Sequence, residues 1–284
     1  MKFTKTSLIA VSLIAINISL LSQDILKPDP PIKINPCGVH NKDIGDRRAI
    51  SYTYTRESDV AWEKRVWRDI DMREKQNQPL YYPIEYNACR SSLFQTITRG
   101  ILNGNIVAFK DEEFLIPYET AEFRKRIVKI DTLLSVVYDP QGNETEEYIP
   151  SYDSTSIYER ILKFRLKEDW FFDRQKSTLE VRIIGIAAFE YNEERDYFRE
   201  VYWVYFPACR PYFARNDVYN FKNDSERRSL DDIFWKRQFS SLIVKESNVQ
   251  DRYIDQYQKG IDALVEADKI KMGVFNWEHD LWNY

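Results

Sequence analysis

The stretch from Ile161 to Phe206 restricts the fold more than any other. In ILKFRLKEDW, Leu162, Phe164 and Leu166 alternate with Lys163, Arg165 and Lys167, the period of two that marks a half-buried strand. LEVRIIGIAAF, Leu179 to Phe189, is apolar almost without interruption and reads as a more completely buried strand. The charged turn Asn192 to Asp196 leads into a third strand, Glu200 to Phe206. Three neighbouring strands joined by short turns predict an antiparallel meander. The last of them sets Tyr202, Val204 and Phe206 on one face and Trp203 and Tyr205 on the other. A strand that is aromatic on both sides must be covered on both sides, by helices of the same chain or by another subunit.

The flanking segments supply candidate cover. Ser58 to Lys75 reads as a helix, with Ser58 able to cap it, Trp62, Val66 and Ile70 on one side and Trp67 at the margin of that side. Pro79 in Asn77-Gln-Pro stops it. Ser91 to Arg99 reads as a second helix closed by Gly100, with Phe94 and Ile97 facing the core. Ile106–Phe109 and Phe114–Ile116 read as short strands around the turn Asp111-Glu-Glu113. Leu133–Tyr138 and Glu144–Ile149 form a predicted hairpin about Asp139–Asn143. Ser229, with Asp232 three residues on, resembles a capping box for SLDDIFWKRQF. Val249 to Lys269 reads as an amphipathic helix with Ile254, Tyr257, Ile261 and Leu264 on its stripe. The tail carries Phe275, Trp277, Leu281 and Trp282, which need a surface, because termini fray unless tied down.

The N-terminus has Lys2 and Lys5, the apolar run Leu8–Leu21, then Ser22. That order describes a secretory signal peptide, and the run falls short of the roughly 20 apolar residues of a spanning helix. Export implies an oxidising compartment, where Cys37, Cys89 and Cys209 can pair and one of the three is left over. For Cys209 a disulfide to Cys89 or Cys37 and free burial as a small apolar residue both stand. A catalytic thiol would need His40 or His279, one in a Pro-rich leader and the other near the C-terminus.

The chain has 284 residues and a formal net charge of −4. That balance argues against a nucleic-acid ligand and supplies no polybasic membrane anchor. There is no phosphate loop, HExxH or GxSxG, and with two histidines a His-rich metal site is nearly excluded. The acidic runs 111–113, 144–147, 193–194 and 231–232 read as solvated turns or helix starts; a calcium site in one of the turns is the lesser reading. The whole predicts an α+β fold: a central antiparallel sheet packed with helices, an extended N-terminal arm and a helical C-terminal segment. The segments are a signal peptide at 1–22, the arm at 23–57 and one α+β domain at 58–284.

Several strings in a fixed order carry a resemblance. They are VWRDIDMREKQNQPLYYP (66–83), SLFQTITRGI (92–101), LKEDWFFDRQKSTLEVRIIGIAAF (166–189), YWVYFPACRPYFA (202–214), DDIFWKRQFSSLIVKESNVQDRYIDQY (231–257) and GIDALVEADKIKMGVFNWEHDLW (260–282). Together they resemble the GldN/PorN family, periplasmic components of the gliding-motility and type IX secretion machinery. The resemblance runs from about Trp62 to Tyr284. The leader carries none of it, and Cys89 is outside the family pattern. It implies a non-enzymatic structural subunit without cofactor or metal. Such a subunit would sit in the periplasm, held at the outer membrane by a GldK/PorK-like lipoprotein. It would form a ring with copies of itself and meet a GldM/PorM-like motor component.

A ring requires two different, matching lateral faces. Trp and Tyr dominate interface energetics. The candidate anchors are therefore Trp62 and Trp67 in the first helix, Trp203 and Tyr205 in the aromatic strand, and Trp277 and Trp282 in the tail, with ordinary core burial as the competing reading for each. Two other classes remain. A periplasmic hydrolase would need two carboxylates about 5 to 10 Å apart across a cleft. A carbohydrate- or peptide-binding module would expose aromatics in a groove.

Overall fold

The computed structural model describes residues 47–281 apart from 86, 88, 128, 139–143, 154, 194, 222, 224 and 225. The signal peptide, most of the arm, Cys37, His40, the hairpin tip and Trp282 lie outside these residues. Ten strands are described: β1 (Val60–Asp71), β2 (Ala108–Phe109), β3 (Lys129–Tyr138), β4 (Glu144–Asp153), β5 (Ile161–Asp173), β6 (Thr178–Asn192), β7 (Tyr197–Tyr205), β8 (Asp217–Val218), β9 (Arg228–Ser229) and β10 (Leu242–Glu246). The helices are α1 (Gln78–Tyr81), α2 (Leu93–Leu102), α3 (Thr120–Ile127), α4 (Thr155–Arg160), α5 (Phe206–Phe213), α6 (Leu230–Trp235) and α7 (Ile261–Leu281). The fold is α+β. A six-stranded sheet runs β10-β1-β5-β6-β7-β2, with every pairing antiparallel. β3 and β4 form the separate hairpin expected from the sequence.

The meander β5-β6-β7 has the expected order. β5 keeps its alternation: Phe164 and Leu166 enter the main core, whereas Arg165 and Lys167 stand on the opposite face. The main core also takes Ile186, Ala188, Tyr202 and Val204 from the sheet and closes against α2 to α6. Ser229 caps α6 through its Oγ, which accepts from the Asp232 N–H, while the Asp232 carboxylate accepts from the Ser229 N–H.

Five expectations are corrected. The expected helix 58–75 is strand β1, paired with β5 on one side and β10 on the other. Trp62, Val66 and Ile70 are spaced by four, which is an even number. They share one face of a strand as readily as one side of a helix, so this spacing does not separate the two. Trp67 separates them, because it lies on the sheet face opposite Ile70. The strand β10, which forms the sheet edge beside β1, was missed because SLIVKE is short and precedes a polar stretch. Gly100 lies inside α2 rather than closing it. A Cβ there would lie 2.4 Å from Ile106 Cδ1, and the positive φ that ends the helix belongs to Gly104.

Phe114–Ile116 is not a strand; Phe114 has φ 58° in a loop whose Pro117 bridges Phe109. Phe206, expected to end the third strand, instead opens helix α5, and β7 stops at Tyr205. Pro207 falls in the first turn of the helix, where no N–H partner is lost, and Pro211 sits inside it. Finally, 249–269 is not one helix. Ile254 lies in a short 3-10 turn, Gly260 at φ 59° breaks the run, and α7 begins at Ile261 and reaches Leu281.

Candidate interaction surfaces

The second face of the sheet alternates cations with aromatic rings. Arg165 lies 4.7 Å from the centre of the Phe189 ring and 4.9 Å from that of Tyr253. Lys245 lies 4.3 Å above Trp67, and Lys163 4.0 Å above Phe198. Such contacts strengthen when desolvated. Here they are: Lys167 and Lys245 are 2% and 1% exposed. A buried ammonium requires a paired anion. Two loops deliver those anions. Lys167 donates to Glu113 Oε1 at 2.8 Å and to the Glu112 carbonyl at 3.0 Å, while Lys245 pairs with Asp251 at 2.6 Å. Glu112 also accepts from Trp67 Nε1 at 3.1 Å. The acidic run 111–113 is thus partly a latch over the sheet, not only a solvated turn.

Phe114 closes the cover. It meets Phe109, Trp203 and Tyr205 edge-on, with centroids 5.5, 6.4 and 5.7 Å away. It rests where Gly185 has no side chain, since a Cβ there would lie 2.5 Å from Phe114 Cζ. Replacing Gly185 with Ala is therefore expected to lift the loop and cost about 1–3 kcal/mol, the usual range for overpacking. Urea denaturation with tryptophan fluorescence checks it; an unchanged midpoint would show that the ring does not seat there.

The six candidate anchors separate under this geometry. Trp67 and Trp203 are 4% and 1% exposed, inside the chain beneath the latch. Trp62 stacks on Trp277 at 4.6 Å, and Phe172 meets Trp277 edge-on at 5.5 Å, so this half-buried pair ties the C-terminal helix to the sheet. Tyr205 is 44% exposed at the rim of the second face. Trp282 lies outside the described residues. Among the five that are described, no contact joins all of them as one site.

Sequence reasoning missed two exposed apolar patches. At the β2 edge, Val107, Leu115 and Ile116 are exposed beside Tyr205. The loop folds back along β2, with the Lys110 N–H donating to the Ile116 carbonyl and the Tyr118 N–H to the Ala108 carbonyl. Asp111 holds the turn, its carboxylate accepting from the N–H groups of Leu115 and Ile116; these bonds lower its pKa. The second patch is on α7. Its inner side buries Ala267, Ile270 and Val274, and Ala267 and Ile270 pack with Val66, Ile243 and Ile254. Its outer side exposes Ile261, Leu264, Val265, Met272 and Phe275. A three- and four-residue count along 261–275 would have found both stripes.

Reactive chemistry is scarce among the described residues. Cys209 is free and buried, donating its Sγ–H to the Tyr205 carbonyl at 3.4 Å, and burial pushes its thiol pKa far up. Cys89 is engaged in a disulfide, so the reading of Cys209 resolves to free burial. His279 is exposed at the end of α7. Among the described residues no group of His, Cys, Asp and Glu could hold a metal, and no helix is long and apolar enough to cross a membrane.

Compared with known families, the chain matches Gliding motility associated protein GldN over residues 55–283. No curated protein matches it significantly.

Proposed function

Because the chain belongs to the GldN family, and is thereby a component of the gliding-motility and type IX secretion machinery, we propose that it is a structural subunit of a periplasmic ring. One observation carries the ring reading. The two exposed apolar patches are built from different elements and stand apart, one at the β2 edge and one on the helix over the β10 end of the sheet. A closed ring needs such unlike lateral faces, whereas a two-fold dimer would use one face twice. In this reading Leu115, Ile116 and Tyr205 of one copy meet Ile261, Met272 and Phe275 of the next. Trp62 and Trp277 hold α7 at the angle the contact requires, and Trp67 and Trp203 support the edge loop from beneath.

Vertical contacts would use other surfaces of the subunit. We assign these to a GldK/PorK-like outer-membrane lipoprotein, which would hold the subunit at the membrane from the periplasm, and to a GldM/PorM-like motor component. The signal peptide 1–22 accounts for export, and catalysis has no part in this role. The test is co-expression of the chain with its lipoprotein partner, followed by detergent extraction and electron microscopy. Closed rings holding both proteins are expected. A lipoprotein ring assembled without this chain, or a chain that never co-purifies with the lipoprotein, would contradict the reading.

A further inference from the structure

We propose that the groove between α1 and the β8–β9 region is a docking site for an extended acidic peptide segment of a partner protein. The groove has a volume of about 1100 Å3. That is at the upper edge of the about 300–1,000 Å3 of small-molecule pockets and leaves room for a short length of extended chain. Leu80 and Ile233, both buried, contribute to its floor. Tyr82, Tyr219 and Phe221 stand exposed along it, 52%, 46% and 64% accessible. Aromatic walls over an apolar floor are how extended, proline-containing segments are held.

Charge selects the occupant. Lys75, Arg90, Arg228 and Arg237 line the groove, and its described lining contains no Asp or Glu. This is a cationic island on a chain whose formal net charge is −4. Two of the four cations are balanced, since Glu226 holds Arg228 and Glu168 holds Arg237. Among the described residues, Lys75 and Arg90 form no ion pair. Arg90 lies 5.0 Å over the Tyr219 ring, which aims a guanidinium along the wall. Carboxylates spaced between apolar side chains would meet both features at once. A nucleic acid would meet too few cations.

The groove is built before any ligand arrives. Asn77, fully buried, donates through Nδ2 to the carbonyls of Asp71 and Ser240 at 2.8 and 2.9 Å, and its Oδ1 accepts from the Ser240 N–H at 2.9 Å. Gln95 donates to the carbonyl of Ile84 and fixes the stretch after the Tyr82–Pro83 cis bond. A preformed wall lowers the ordering cost of docking. The proposal stands apart from the ring reading, because it requires only the groove.

The test measures fluorescence anisotropy of the purified chain with a fluorescein-labelled decapeptide, Glu-Pro-Leu-Glu-Pro-Leu-Glu-Pro-Leu-Glu, and with its Lys-for-Glu counterpart. The acidic peptide is expected to bind at least tenfold tighter than the basic one and to weaken as salt rises. Joint replacement Lys75→Glu with Arg90→Glu should cost tenfold or more, and so should Tyr219→Ala with Phe221→Ala. Leu115→Glu with Ile116→Glu should leave binding unchanged. Circular dichroism of each variant separates lost binding from lost fold. Equal affinity for both peptides, or indifference to the Lys75 and Arg90 changes in a folded chain, would overturn the proposal.

Discussion

Glu168→Ala is expected to lower the unfolding free energy by about 3–5 kcal/mol, the cost of removing one partner from a buried ion pair. Glu168 is fully buried and stands at the bulge where the β5–β6 register shifts. Its two oxygens accept from Arg237 at 2.9 and 3.0 Å, and one also accepts from Trp170 Nε1 at 3.0 Å. Arg68 is close by, its pKa lowered by burial and by Arg237 against the pull of Glu168. Without the carboxylate, the Arg237 guanidinium, whose side chain is 30% exposed, and the more deeply buried Arg68 lose the anion that offsets their mutual repulsion. Glu168→Gln keeps the acceptor for Trp170 but not the charge, and should recover only part of the loss. Folded domains have only about 5–15 kcal/mol in hand. Urea titration of all three proteins measures the effect, and a loss below about 1 kcal/mol for the Ala variant would mean that water already relieves the pair.

Part of this architecture was legible in the residues and part was not, for physical reasons. The meander was readable because β5 alternates polar and apolar side chains, and the capping box at Ser229 because it depends on residues three apart. β1 was misread because its apolar spacing suits both periods, and only its long-range pairing with β5 and β10 decides between them. α5 was misread because Phe206 and its neighbours continue an aromatic strand without a polar break, so the change to helix begins within an apolar run. The latch from Glu113 to Lys167 joins residues far apart in the chain, and Glu113 had every mark of a solvated turn. For the candidate anchors, residue type pointed to interfaces. Burial of Trp67 and Trp203 depends on the loop that covers them, which no local pattern reveals. The exposed stripe of α7 was hidden because its apolar residues were assigned to a helix that started too early.

The lateral contact is most directly tested by mixing two damaged copies. In one, Leu115→Glu with Ile116→Glu places charge on the β2 edge; in the other, Met272→Glu with Phe275→Glu places it on the outer side of α7. All four positions are exposed, so each monomer should fold. Burying an unpaired carboxylate in an apolar contact costs several kcal/mol, enough to abolish either junction. Each variant, prepared with the lipoprotein partner, should therefore fail to form rings, whereas an equal mixture retains one intact junction per pair. Mass photometry of that mixture should show lateral pairs that neither variant forms alone and that grow no further. Closed rings from either variant by itself, or a mixture with no pairs at all, would contradict assembly through these two faces.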